Sequence, residues 1–193
     1  MATEQRRARR TAALLGACAV LTAGCDIGAV DRHDFNRLAE ERGGGLVSAL
    51  PQEGISALRA ALGVSDFDVV GVLLSASGQR ADFRVRQPGR PDREDSYSYA
   101  QGRLSAPRPV RVSAQSAASA SVFPISQLTA FDRVEEIVDT ALAKTGFEDG
   151  RVTSISADLV GGAIQVAASV DSPRAATTVL FDKGGSFVEV KPW

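Results

Sequence analysis

Histidine, cysteine, lysine, methionine and tryptophan are almost missing from this chain of 193 residues, which holds one His, two Cys, three Lys, one Met and one Trp. Each shortage removes a class of chemistry. A protein metal centre gathers several His, Cys or carboxylate ligands; His33 stands alone beside Asp31 and Asp34, so no metal or other cofactor is expected. A Ser-His-Asp triad needs its imidazole fixed in a packed site, whereas His33 lies in a stretch that runs into Gly43-Gly44-Gly45. The lysines (Lys144, Lys183, Lys191) leave no Ser-x-x-Lys nucleophile motif. Positive charge is in slight deficit. Arg6, Arg7, Arg9, Arg10 and Glu4 precede Cys25, and without that segment 18 basic residues face 22 acidic ones. Such a balance argues against nucleic acid, whose binding rests on Lys and Arg neutralising phosphates.

No uncharged apolar run reaches the ~20 residues that a membrane-spanning helix needs. Thr11 to Cys25 (TAALLGACAVLTAGC) is uncharged but only 15 residues long. It follows a basic block and ends in small residues, the layout of a secretory leader whose basic end stays on the cytoplasmic side.

The end of that run is the sharpest signal in the chain. Leu21-Thr22-Ala23-Gly24-Cys25 resembles the lipobox of bacterial lipoproteins. The resemblance implies that Leu21, Thr22, Ala23 and Gly24 are read by a lipoprotein signal peptidase. It implies also that the Cys25 thiol carries diacylglycerol with palmitate-type chains and becomes the new N-terminus. Thr22 departs mildly from the commoner Leu. Cys18, preceded by Leu15-Gly16-Ala17, is rejected because Arg9 and Arg10 lie only eight or nine residues upstream. With Cys25 lipidated and Cys18 removed with the leader, no internal disulfide can form. Two acyl chains hold a protein firmly where one holds it marginally, which places the chain at the outer face of a cell membrane. Asp26 next to the Cys is associated, in Gram-negative families, with retention at the inner membrane.

Beyond the leader (1–24), residues 25–45 read as a lipidated tether, closed by three glycines that no helix tolerates cheaply. Residues 46–112 then read as a helix followed by strands. Ile55, Leu58, Ala61 and Leu62 form a helical stripe ended by Gly63. Asp68–Ser75 and the alternating Arg80–Gln87 read as strands, Pro88–Asp95 as a polar loop kept out of the sheet by Pro and Gly, and Ser96–Leu104 as a further strand. Residues 113–125 open with a small, polar linker (SAQSAASAS). Residues 126–193 repeat the plan: a helical stripe over Leu128–Lys144, then strands at Val152–Leu159, Ala163–Val170, Ala176–Asp182 and Ser186–Val190. Matching apolar residues gives offsets of 80 (Leu58, Ala61, Leu62 with Val138, Ala141, Leu142), 81 (Phe83, Val85 with Ile164, Val166) and 82 (Tyr97, Tyr99, Gly102 with Val179, Phe181, Gly184). The expected fold is α+β, two tandem helix-plus-antiparallel-sheet repeats. The layout, with Val179-Leu180-Phe181-Asp182-Lys183-Gly184, loosely resembles PepSY-type and cystatin-like modules. That resemblance implies binding or inhibition and transfers no functional residue.

Other motifs reduce to structure. Lys144-Thr145-Gly146 matches an element of serine β-lactamases, but it ends a helical stripe, where a cation and a glycine form an ordinary cap. Gly43-Gly44-Gly45 and Gly161-Gly162 lack a phosphate-loop context. Glu135, Glu136 and Asp139 suit a helix's outer face. The densest basic patch is Arg80, Arg84, Arg86, Arg90 and Arg93. Arg80, Arg84 and Arg86 are the candidate contact for an anionic partner, with a solvated sheet face as the plainer account. The expectation is therefore a noncatalytic, membrane-anchored extracytoplasmic lipoprotein, not an enzyme, acting as an interaction module for another envelope protein. The alternative is a carrier or sensor of a small ligand or lipid, with Phe83, Tyr97, Tyr99, Phe123 and Phe131 as the aromatics to line a cavity.

Overall fold

The structure, a computed structural model, describes residues 45–111 and 121–192. The leader, Leu21 to Cys25, His33 and most of the tether and linker lie outside the described residues.

Helix α1 (Ala49–Leu62) buries Pro51, Gly54, Ile55 and Leu58 at spacings of three and four, the stripe of a helix with one face in a core. Gly63 ends it in the left-handed region (φ +69°), donating its N–H to the Arg59 carbonyl at 3.0 Å. Strands β1 (Asp68–Ser75), β2 (Arg80–Gln87), β3 (Arg90–Ala100), β4 (Arg103–Leu104) and β5 (Arg108–Pro109) follow. After the linker come β6 (Phe123–Pro124), two 3-10 turns (Ile125–Gln127 and Thr129–Asp132) and helix α2 (Val134–Thr145). The chain closes with β7 (Arg151–Val160), β8 (Ala163–Asp171), β9 (Ala176–Asp182) and β10 (Phe187–Pro192).

All strands join one antiparallel sheet in the order β10-β9-β8-β7-β1-β2-β3-β4, with β5 on β3 and β6 on β1. The fold is mixed α+β. The halves meet inside the sheet, where β1 pairs β7 from Gly71↔Asp158 to Ser75↔Ser154. Val72 and Leu74 of β1 lie opposite Ala157 and Ile155 of β7, all four belong to one continuous core, and both helices pack on that face.

Two sequence expectations change. Pro88–Asp95 is not a loop. Only Pro88-Gly89 turn, with Gly89 at φ +73°, and β3 starts at Arg90. Pro91 is tolerated because this end of β3 is the sheet's edge: β5 reaches only Asp95 and Ser96. The Leu128–Lys144 stripe is not one helix either. Leu128 and Phe131 are buried by 3-10 turns, and α2 begins at Val134. The steps of three from Leu128 to Phe131 to Val134 fit a turn of three residues as well as an α-helix.

Buried positions in the two halves recur at a spacing other than the one expected from apolar residues alone. Pro51, Gly54, Ile55 and Leu58 answer to Val134, Ile137, Val138 and Ala141, and the capping Gly63 to Gly146, all 83 residues apart rather than 80. Val69, Val72 and Leu74 answer to Val152, Ile155 and Ala157, and Ala81, Phe83 and Val85 to Ile164, Val166 and Ala168, again at 83 rather than 81. Tyr97 and Tyr99 keep their offset of 82 with Val179 and Phe181. Apolar residues alone cannot choose between neighbouring turns of a stripe; a cap glycine and a buried face can.

Gly54 sets how closely α1 approaches the sheet. A Cβ there would sit 2.8 Å from Phe83 Cε2 and 3.2 Å from Tyr99 Cβ. Alanine gains about 1 kcal/mol of helix propensity over glycine, but forcing a methyl into a packed core costs about 1–3 kcal/mol. Phe83 is 1% exposed and has nowhere to move. Gly54→Ala is therefore expected to destabilise, by about 1 kcal/mol, in urea unfolding; a stabilised variant would show that the helix can lift from the sheet.

Candidate functional site

The helices cover one face of the sheet. The opposite face carries the polar positions of every strand and holds the sequence's candidate residues. Arg80, Arg84 and Arg86 stand on it along β2, and two carboxylates, Asp82 and Glu94, are bound there to Arg80 and Arg84. Arg80 Nε donates to Asp82 Oδ2 at 2.7 Å, and Arg84 Nε donates to Glu94 Oε2 at 2.6 Å. The Glu94 side chain is fully buried, so the Arg84 pair compensates a carboxylate taken out of water. The charge of Arg80 and Arg84 is thus largely cancelled at close range, leaving little surplus to attract an anion.

At the middle of this face the sheet has a glycine. Gly71 pairs with Arg84 on β2 and with Asp158 on β7. In the next row Leu73 pairs with Asp82 and Ser156. Without a side chain at Gly71, a groove of about 370 Å³ opens between the β2 and β7 side chains, bordered by Leu73, Asp82, Arg84, Ser96, Ser156 and Asp158. The Asp158 carboxylate leans over its floor: a Cβ on Gly71 would lie 2.5 Å from Asp158 Oδ1. Desolvation in this position raises the Asp158 pKa, against a hydrogen bond from Ser156 that lowers it. Among the described residues no cation pairs with Asp158. Leu73 remains 39% exposed beside it, an apolar wall next to an uncompensated charge. Asp182, at the far end of the same cross-strand row, differs because the Gly184 and Ser186 N–H groups donate to its Oδ1 at 2.9 and 2.8 Å.

Sequence reasoning missed Gly71 and Asp158. The signal was a glycine inside a strand pattern, which marks a bulge or a close approach. Here it marks both, for β1 is bulged between Val69 and Gly71.

On the other face, the N-termini of the two helices meet. Ser48 donates its N–H to Glu135 Oε1 at 3.0 Å and its hydroxyl to Glu135 Oε2, while Val134 N–H donates to Ser48 Oγ at 2.9 Å. Each helix start is capped from the other, and one carboxylate sits between two positive dipole ends. Desolvation works to raise the Glu135 pKa, but the hydrogen bonds from Ser48 outweigh it and lower it. Since the folded value lies below the unfolded one, this contribution is present above the unfolded pKa and is lost as pH falls through the folded pKa. Glu135→Gln should cost about 1 kcal/mol near neutral pH. Thermal melts from pH 7 to pH 3 should show the gap to the natural chain closing in acid; a gap independent of pH would remove the charge from the account.

The remaining sequence candidates are structural. Lys144 lies in the last turn of α2 with Nζ 4.6 Å from the Phe187 ring centroid, and Gly146 N–H caps the helix on the Leu142 carbonyl. Phe83, Tyr97, Tyr99, Phe123 and Phe131 are all core, between 0% and 6% exposed. The Tyr99 hydroxyl donates to Glu53 Oε2 at 2.8 Å; that bond first, and desolvation second, raises its pKa. A hollow of about 660 Å³ near Gln79, Gln101 and Arg151 has mixed polar walls. Among the described residues no group of three or more His, Cys, Asp or Glu gathers to hold a metal, and no helix is long and apolar enough to cross a membrane.

These features define a mixed α+β protein with one sheet face covered by helices and one that no described element covers. Its fold is similar to the crystal structure of a protein from Clostridium difficile 630 provisionally named as a lipoprotein, with a TM-score of 0.55 at 12% identity over 72% of this chain and 90% of that one. No family model matches the chain, and the search of curated proteins finds no match.

Proposed function

We propose that this chain is a lipid-anchored, extracytoplasmic bacterial lipoprotein without catalytic activity, whose domain docks another envelope protein. The observation that carries the reading is the leader: a basic block, a short apolar run and Leu21-Thr22-Ala23-Gly24-Cys25. The fold's likeness to a protein provisionally named as a lipoprotein supports it. We propose further that the domain is a tandem duplication of a helix-plus-sheet unit, supported by buried positions and turn glycines that recur 83 residues apart. The packed aromatics disfavour a carrier with an aromatic-lined cavity, and the open sheet face favours a docking protein. Intact mass of protein extracted from native membranes should match a chain beginning at Cys25 plus a diacylglyceryl group. A mass for residue 25 without acyl groups would end the reading.

A further inference from the structure

We infer that the groove over Gly71 on the open sheet face receives a basic side chain, arginine or lysine, from the docked protein. This deepens the proposed function and rests on it for the nature of the partner; the groove itself stands on five observations. A glycine at the centre of a sheet leaves a gap one side chain wide, flanked across the strands by Arg84 and Asp158. Asp158 reaches into that gap and forms no ion pair among the described residues. The one arginine on the rim, Arg84, is bound through Nε to buried Glu94. Asp82, on the same side as Arg84, adds a second carboxylate held by Arg80 and Ser98. Exposed Leu73 completes the border.

Charge complementarity selects the occupant. An acidic side chain would face the Asp158 carboxylate and be repelled. An apolar one would fill the space over Leu73 but leave the Asp158 carboxylate further desolvated and unpaired, which is costly. A long basic side chain satisfies both features: its aliphatic stem lies along Leu73 and its head donates to Asp158. Arginine and tyrosine are the residues most often found at the energetic centres of interfaces, and this geometry suits the arginine.

The test uses the full-length chain in zwitterionic detergent micelles and the peptide Ac-Gly-Arg-Gly-NH2, followed by amide shifts in nitrogen-15 NMR. The expected result is saturable shifts confined to Gly71, Leu73, Ser156 and Asp158. Half-saturation should weaken by about fivefold in Asp158→Asn and in high salt, and stay unchanged in Glu148→Gln, which removes an exposed acid on a distant loop. Ac-Gly-Glu-Gly-NH2 should leave these amides unmoved. No localised shifts in the natural chain, equal shifts with the glutamate peptide, or indifference to Asp158→Asn would each overturn the inference. The amide spectrum of the variant shows whether it is folded. Failure here leaves the acyl mass of Cys25 untouched, whereas an unacylated Cys25 ends the lipoprotein reading whatever the peptide does.

Discussion

A Cys25→Ala chain is expected to incorporate no fatty acid in metabolic labelling, against full incorporation by the natural chain, and to accumulate with its leader attached. The thiol is the only atom on which the proposed acyl groups can be built, and the implied peptidase acts at that same residue. No neighbouring group can substitute, so the effect is all-or-none. Each buried methylene contributes about 0.8 kcal/mol to membrane binding; losing two chains therefore removes the lipid anchor. Cys18→Ala is the paired control and should label normally, because the arginines at positions 9 and 10 leave too short an apolar run before it. Labelling that survives in Cys25→Ala and disappears in Cys18→Ala would move the anchor to Cys18 and overturn the assignment.

Phe131→Ala should cost about 3–5 kcal/mol, a large part of the 5–15 kcal/mol that holds a typical domain. Phe131 is fully buried. It sits in the second 3-10 turn, which packs against both helices, so its ring belongs to neither half alone. Ala130 N–H, beside it, donates to the Lys183 carbonyl at 2.8 Å, tying it to the turn between β9 and β10. Truncation leaves a cavity whose walls are fixed by α1, α2 and the strands below them. Because β1 and β7 are hydrogen-bonded neighbours in one sheet, both halves should lose stability together. In urea, amide exchange in β2–β3 and in β8–β9 should report the same shifted midpoint. Melting of β8–β9 with β2–β3 intact would show two separable units and refute the single core.

Much of the fold was legible before any coordinates. Strand β2 alternates Ala81, Phe83 and Val85 with Arg80, Asp82, Arg84 and Arg86, and its bounds coincide with those expected. Gly63 and Gly146 end helices where a left-handed residue is needed. Local rules missed where the deciding partner was distant. Nothing in PGRPDRED announces a strand; it becomes one because β2 lies beside it, pairing Arg86 with Glu94 and Gln87 with Arg90. The helical stripe from Leu128 hid the 3-10 turn Thr129–Asp132 because both structures bury every third residue. Of the candidate site, the arginines of β2 were visible, but Glu94, the carboxylate partner of Arg84, was not. It lies ten residues from Arg84 in a segment read as loop.

By itself the sequence showed the basic block and short apolar run that end at Cys25, the alternation that makes strands, the turn glycines and the scarcity of histidine, cysteine and lysine. These are properties of neighbouring residues, and neighbouring residues carry them. Only the tertiary structure decided that two helix-and-strand halves share one sheet and one core, that Ser48 and Glu135 cap each other's helices across 87 residues, and that Gly71 and Asp158 stand side by side. Strand pairing between distant segments depends on which edges and apolar faces are left to cover. That choice is made by the folded whole, and the groove on the open face exists only as its result.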